Sequence, residues 1–140
     1  MQISNHYAPY EKKTLVVVTN NEVAKIFELQ DREINLVSEI KAQEIEKVGR
    51  SSGKINDGPK DFDEEKRLTR VLMYKDLSEH LLGKIQKEQL DLILCAPEAY
   101  KNEIFEQMHS QVQKVAKEIV PKNLASLPLD QIIRILQEIR

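Results

Sequence analysis

Between residues 44 and 70 the sequence gathers the groups best suited to meet a phosphate. The segment Gly49-Arg-Ser-Ser-Gly-Lys-Ile-Asn-Asp-Gly58 carries three of the chain's 4 glycines together with Arg50 and Lys54, and Lys60, Arg67 and Arg70 follow. Glycines let successive backbone N–H groups converge on an anion, and lysine and arginine supply positive charge, so this spacing suits contact with a phosphate backbone. The opposing reading is a solvated surface loop, because Asp57, Asp61 and Asp63 stand among the same residues and partly cancel the positive field. Arg67, Arg70 and Tyr74 fall on neighbouring helical positions, which would continue a basic ridge with an aromatic ring for stacking. They also have local uses: Asp63 can pair with Arg67 at i,i+4, and Tyr74 can cover the edge of a core.

Other chemistries lack their residues. Ser51-Ser-Gly-Lys54 is followed by Ile55, so no GxxxxGK[ST] phosphate loop is present. The 3 histidines, His6, His80 and His109, have no partner at ligand spacing, and nothing brings them to Cys95, so no metal site is expected. Cys95 lies in an apolar run, where a buried, inert thiol is expected rather than a nucleophile. The expectation is a non-catalytic chain with no cofactor.

Bulk composition is neutral about partners. There are 21 basic and 23 acidic side chains, a net charge of −2, with 41% hydrophobic and 31% charged residues in 140. That is an ordinary globular balance in a chain long enough to bury a core, and it gives no bulk argument for nucleic acid or an anionic membrane. A single cysteine excludes an intramolecular disulfide and favours a reducing compartment. The polar start of the chain does not resemble a signal peptide, and runs such as Leu15–Val18 and Leu92–Ala96 are too short to span a bilayer. A cytoplasmic location with no membrane association is expected.

The elements that must position the candidate residues follow from periodicity. Residues 1–13 show no period and read as an irregular tail before a single α/β domain over 14–140. Thr14–Thr19, Val23–Leu29 and Ile34–Ile40 predict three short strands, with turns at Asn20-Asn21 and Asp31-Arg32, hence an antiparallel meander. A long loop is expected over 44–63. The first long helix is predicted to start near Asp61, where Asp61 and Glu64 resemble a capping box, with Leu68, Val71, Leu72, Leu81, Leu82 and Ile85 as its core-facing stripe. Leu90–Ala96 predicts a fourth strand, and Pro97-Glu98 the first turn of a second helix with Ile104, Phe105, Met108 and Val112 inside. Val115–Val120 predicts a fifth strand. Pro128 opens a closing helix with Leu129, Ile132, Ile133, Leu136 and Ile139 apolar, a face that could dock on the sheet or on another copy. The order βββ-α-β-α-β-α implies a mixed five-stranded sheet with helices on its faces.

Three segments, in order, resemble the host-attachment protein family, which is similar to the central domain of eukaryotic and archaeal peptide-release factors. They are Val16-Val-Val-Thr-Asn-Asn-Glu-Val-Ala-Lys-Ile-Phe-Glu-Leu29, Leu92-Ile-Leu-Cys-Ala-Pro97 and Ile119-Val-Pro-Lys-Asn-Leu-Ala-Ser-Leu-Pro128. The resemblance implies a fold of the release-factor central-domain, RNase H-like type and a link to ribosomes or translation. In release factors a Gly-Gly-Gln tripeptide precedes the long helix; residues 49–58 contain neither adjacent glycines nor glutamine, so ester hydrolysis by that route is not expected. A nuclease of the RNase H type would need clustered carboxylates, and Thr19 and Asn20 stand where the first strand would offer an aspartate.

These readings point to a non-catalytic binding domain whose partner is the ribosome or structured RNA, contacted by Arg50, Lys54, Lys60, Arg67 and Arg70. The alternative is a protein-interaction or regulatory module of the host-attachment family, and an unrecognised hydrolase is a third class.

Overall fold

Asn20 turns the chain between the first two strands. Its side-chain oxygen accepts hydrogen bonds from the backbone N–H of Glu22 at 2.7 Å and of Val23 at 2.9 Å, the local bonding that makes asparagine a turn residue. On either side, β1 (Tyr10–Thr19) and β2 (Val23–Asp31) pair antiparallel, with Thr19 opposite Ala24. Asp31 takes a left-handed backbone conformation, φ 54°, and β3 (Glu33–Lys41) returns along β2. A computed structural model describes residues 2–42 and 59–138, with side chains in the second stretch described from Glu64.

The chain continues through α1 (Pro59–Lys87), β4 (Asp91–Cys95), α2 (Lys101–Gln107), α3 (Ser110–Val115), β5 (Ala116–Val120) and α4 (Leu129–Glu138). The strands lie in the order β3-β2-β1-β4-β5, with β4 parallel to β1 and β5 parallel to β4. This is the mixed five-stranded sheet expected, a meander extended by parallel crossovers. The apolar alternation of each strand serves two cores. Leu15, Val17, Ala24, Ile26, Leu92 and Leu94 face α1, α2 and α3, while Val16, Val18, Phe27, Leu29 and Cys95 face α4. Among the described residues no helix is long and apolar enough to cross a membrane.

Several expectations change. The irregular segment is shorter than residues 1–13 and is anchored: β1 begins at Tyr10, Ile3 and Tyr10 are buried, and Gln2 bridges Glu33. Ile3 N–H donates to the Arg32 carbonyl at 2.6 Å, and the Arg32 guanidinium donates to the carbonyls of Ser4 and Tyr7. Two separate anchors and backbone bonds hold this arm, which is why no period marks it. α1 starts at Pro59, so Asp61 falls inside its first turn. Proline suits that place because the first helical N–H groups have no partner to lose. Of the expected loop, residues 44–58 lie outside the described residues.

The core stripe of α1 is Val71, Tyr74, Leu77, Ser78 and Leu81, at the i, i+3, i+4, i+7 spacing of one helical face, with Met73 at its border. Leu68 and Leu72 are not part of it: they are 43% and 52% exposed. The short helix α3 also intervenes before β5, where the sequence suggested strand from Val115. A segment in which only Val112 is buried is too short to display a period. His109 caps it, its imidazole Nδ1 accepting from the Gln111 backbone N–H at 3.1 Å while the His109 backbone N–H donates to the Ser78 hydroxyl at 2.8 Å.

Candidate functional site

α1 is longer than the sheet it packs on. Its 29 residues extend about 43 Å at 1.5 Å per residue, whereas the 5 residues of β4 cover about 17 Å. None of Glu64–Arg70 is buried, and Val71 is the first buried residue among those described in α1. The chain leaves β3 at Lys41, paired with Val23 and so beside the carboxyl end of β1. α1 then descends across the face of the sheet to deliver β4 parallel to β1. Its amino-terminal turns therefore lie towards the carboxyl ends of β1 and β4, the side on which open α/β sheets characteristically bind ligands.

The candidate residues divide into three groups. Arg50 and Lys54 lie outside the described residues. Lys60 is in the first turn of α1, its side chain outside them as well. Arg67 is on the projecting half, 53% exposed, with Glu64 at 3.3 Å across i,i+3. The expected pairing with Asp63 falls on a side chain outside those described. An exposed pair of this kind is weak and leaves Arg67 available to another anion.

Arg70 is engaged within the fold. Its Nε and Nη2 donate to the two carboxylate oxygens of Glu103 on α2, at 2.6 and 3.1 Å. The guanidinium lies 4.6 Å from the centroid of the Tyr100 ring. The two side chains of the ion pair are only 17% and 23% exposed. The hydrogen bonds to Glu103 raise the Arg70 pKa against the opposing effect of burial, so the guanidinium stays charged. Planar fork against carboxylate is the strong form of an ion pair. Tyr74, one turn further on, is fully buried rather than available for stacking. Burial, followed by the nearby Glu103 charge, pushes its phenol above the usual range. Its hydroxyl has no hydrogen-bond partner among the described residues.

Glu103 and Tyr100 were not legible as part of this site. Glu103 is 33 residues from Arg70, and a lone glutamate on a short helix carries no motif.

A concavity lies at the opposite, amino end of the parallel strands. About 570 Å³ in volume, it is lined by residues that include Tyr10, Lys12, Thr14, Asp91, Lys117 and Leu136. Asp91 sits between Lys12 at 3.2 Å and Lys117 at 3.8 Å, so its charge is already balanced. Among the described residues, no group of three or more His, Cys, Asp or Glu side chains could hold a metal ion. The Cys95 thiol is pushed up to about 12 by burial and, secondarily, by Glu118.

The family model for bacterial archaeo-eukaryotic release factor family 12 matches residues 13–136. The chain belongs to that family. The release-factor kinship read from the first hairpin and the tail segment therefore holds. Two solved structures share the fold of this family 12 chain. One is an archaeal translation termination factor, aRF1, with a TM-score of 0.53 at 12% identity, covering 91% of this chain and 39% of that one. The other is Dom34 of S. cerevisiae, a translation termination-like factor involved in RNA quality control pathways and interacting with Hbs1. It aligns with a TM-score of 0.54 at 14% identity, covering 91% of this chain and 33% of that one. The family 12 chain thus spans between a third and two fifths of the length of these proteins. No curated protein matches its sequence.

Proposed function

We propose that this family 12 chain is a non-catalytic binding domain of the translation apparatus that docks on the ribosome or on structured RNA. The observation that carries the reading is the projecting half of α1. It presents Arg67 to solvent, after the stretch containing Arg50, Lys54 and Lys60, towards the carboxyl ends of the parallel strands, where open α/β sheets characteristically bind ligands. Kinship with release factors supplies the class of partner. The absence of adjacent glycines and glutamine in residues 49–58 argues against peptidyl-ester hydrolysis by the release-factor route.

The test is a titration of the chain with ribosomes and with tRNA at several salt concentrations. Three to five phosphate contacts lower affinity on the order of 10²-fold between about 50 and 200 mM salt. No association at low salt would sink the proposal. The combined Arg50→Ala, Lys54→Ala and Lys60→Ala variant is expected to flatten the salt dependence without loss of folding.

A second reading, docking of a protein, is favoured by Leu68 and Leu72, which are exposed one turn apart on the same projecting helix. Recovery of a defined protein partner free of RNA, with loss on Leu68→Ser and Leu72→Ser, would favour it.

A further inference from the structure

The outer side of α1 carries a stripe of its own. Glu64, Leu68, Leu72, Asp76, Glu79 and Gly83 follow one another at steps of three or four residues, so they share one face of the helix. The core stripe from Val71 to Leu81 occupies the other side. Leu68 and Leu72 are exposed, and so are Glu64 one turn before them and Lys75, Asp76 and Glu79 after them. Glu64 has Arg67 at 3.3 Å and Asp76 has His80 at 3.9 Å. Exposed contacts of this kind are weak and leave both carboxylates available. With Lys75 as the only cation on the same face among the described residues, the rim of the leucine pair is acidic.

Gly83 closes the stripe. Glycine inside a helix costs stability relative to alanine, because its backbone loses the most freedom on folding. A Cβ at Gly83 would meet nothing within 4 Å among the described residues, so no packing among them calls for glycine. Bare backbone does allow a second chain to approach closely. From Leu68 to Gly83 the stripe runs about 22 Å at 1.5 Å per residue, about four turns of helix.

The charges select the occupant. Antiparallel packing of a second copy about the leucine pair sets Glu64 opposite Asp76 of that copy, and like charges in an interface repel. RNA would bring phosphates against carboxylates. A chain with apolar side chains and a basic rim meets both features of the face.

We propose that the outer face of α1 docks a basic amphipathic helix of a partner protein. Its apolar side covers Leu68 and Leu72, its lysines or arginines meet Glu64, Asp76 and Glu79, and its backbone comes closest at Gly83. This rests on the protein-docking reading above and gives that partner its chemistry.

The probe is a fluorescent peptide of about 16 residues, long enough to span the stripe as a helix, with leucines along one face and lysines on both flanks. Titrated with the full chain and followed by anisotropy, it is expected to bind, more weakly as salt rises. Leu68→Ser with Leu72→Ser is expected to weaken binding on the order of tenfold. Glu64→Gln, Asp76→Asn and Glu79→Gln together are expected to weaken it several-fold. These side chains are exposed, so the thermal midpoint should hold in both variants. Gly83→Gln is expected to raise the midpoint and weaken binding, a split that a glycine needed inside the fold would not give. A fall in that midpoint, or unchanged binding in any of the variants, overturns the inference. Equal binding of peptides with glutamine or glutamate in place of lysine, lost with the leucine pair, overturns it and leaves protein docking standing. No binding of any of these peptides removes both. A dimer in sedimentation, or tRNA binding, that disappears with the leucine pair assigns the face to another occupant and overturns the inference likewise.

Discussion

Ile34 and Ile40 lie on one strand an even number of residues apart, yet they are buried on opposite faces of the sheet, Ile34 towards α4 and Ile40 towards α1. Side chains on a regular strand alternate, so two such residues should share a face. The register of β3 against β2 slips between them: Ile26 is opposite Ser38 and Phe27 is opposite Leu36, which leaves Val37 as the extra residue of a bulge. The bulge inverts the phase of the strand and lets its two ends serve two cores.

Deletion of Val37 is therefore expected to be far more damaging than its replacement. Without the extra residue Ile40 returns to the face of Ile34 and leaves the α1 core, a loss of about 2–3 kcal/mol from burial alone. Val37→Thr, at an exposed site, is expected to stay within about 0.5 kcal/mol. Denaturant unfolding of both variants checks the contrast.

The phase of α1 gives a second contrast. Leu77 is fully buried and Leu72 is exposed, although both are leucines of one helix. Leu77→Ala is expected to cost about 2–5 kcal/mol and Leu72→Ala less than about 0.5 kcal/mol. Equal costs in thermal unfolding would contradict the helical phase described.

Much of this architecture was legible in the sequence because it is local. The Asn20 turn, the three meander strands and the closing helix with Ile132, Ile133 and Leu136 each carry their own pattern of side chains. What was not legible depends on distant partners or on phase. Leu68 and Leu72 are as hydrophobic as Leu77, and only the direction of the helix axis over the sheet separates them. The fork of Arg70 suits a carboxylate and a phosphate equally, and only the placement of α2 brings Glu103 to it. The bulge at Val37 has no glycine or proline to announce it.

Cys95 is expected to resist alkylation in the native state. Burial, with a smaller contribution from Glu118, pushes its thiol up to about 12, so almost no thiolate exists at neutral or mildly alkaline pH. The thiol's pKa is 9.0 in the absence of these effects. The native state therefore holds the proton more tightly than the unfolded chain, and stability from this group is complete below pH 9.0 and declines as pH rises towards about 12. Between about pH 9 and 10 the loss is on the order of 1 kcal/mol. The pH dependence of unfolding for Cys95→Ala, subtracted from that of the unaltered chain, isolates it. Rapid thiol labelling at pH 8 without denaturant would contradict the burial.

Arg67→Ala is expected to separate binding from folding. Its pairing with Glu64 is exposed on both sides, so removal should change unfolding free energy by less than about 0.5 kcal/mol. The same change is expected to lower the salt slope of RNA binding by about 0.9. A loss of stability without a change in slope would assign Arg67 to the fold instead.

The mismatch in length between α1 and the sheet has a mechanical consequence. Val71 is the first buried residue among those described in α1, and about 18 Å of helix reaches back from it to Pro59 at 1.5 Å per residue. Such a helix is a lever whose fulcrum is the Arg70–Glu103 pair. A tilt of about 10° there carries the far end roughly 3 Å, about one hydrogen-bond length. A small change of angle at that pair would thereby be enough to make or break a whole contact at the tip.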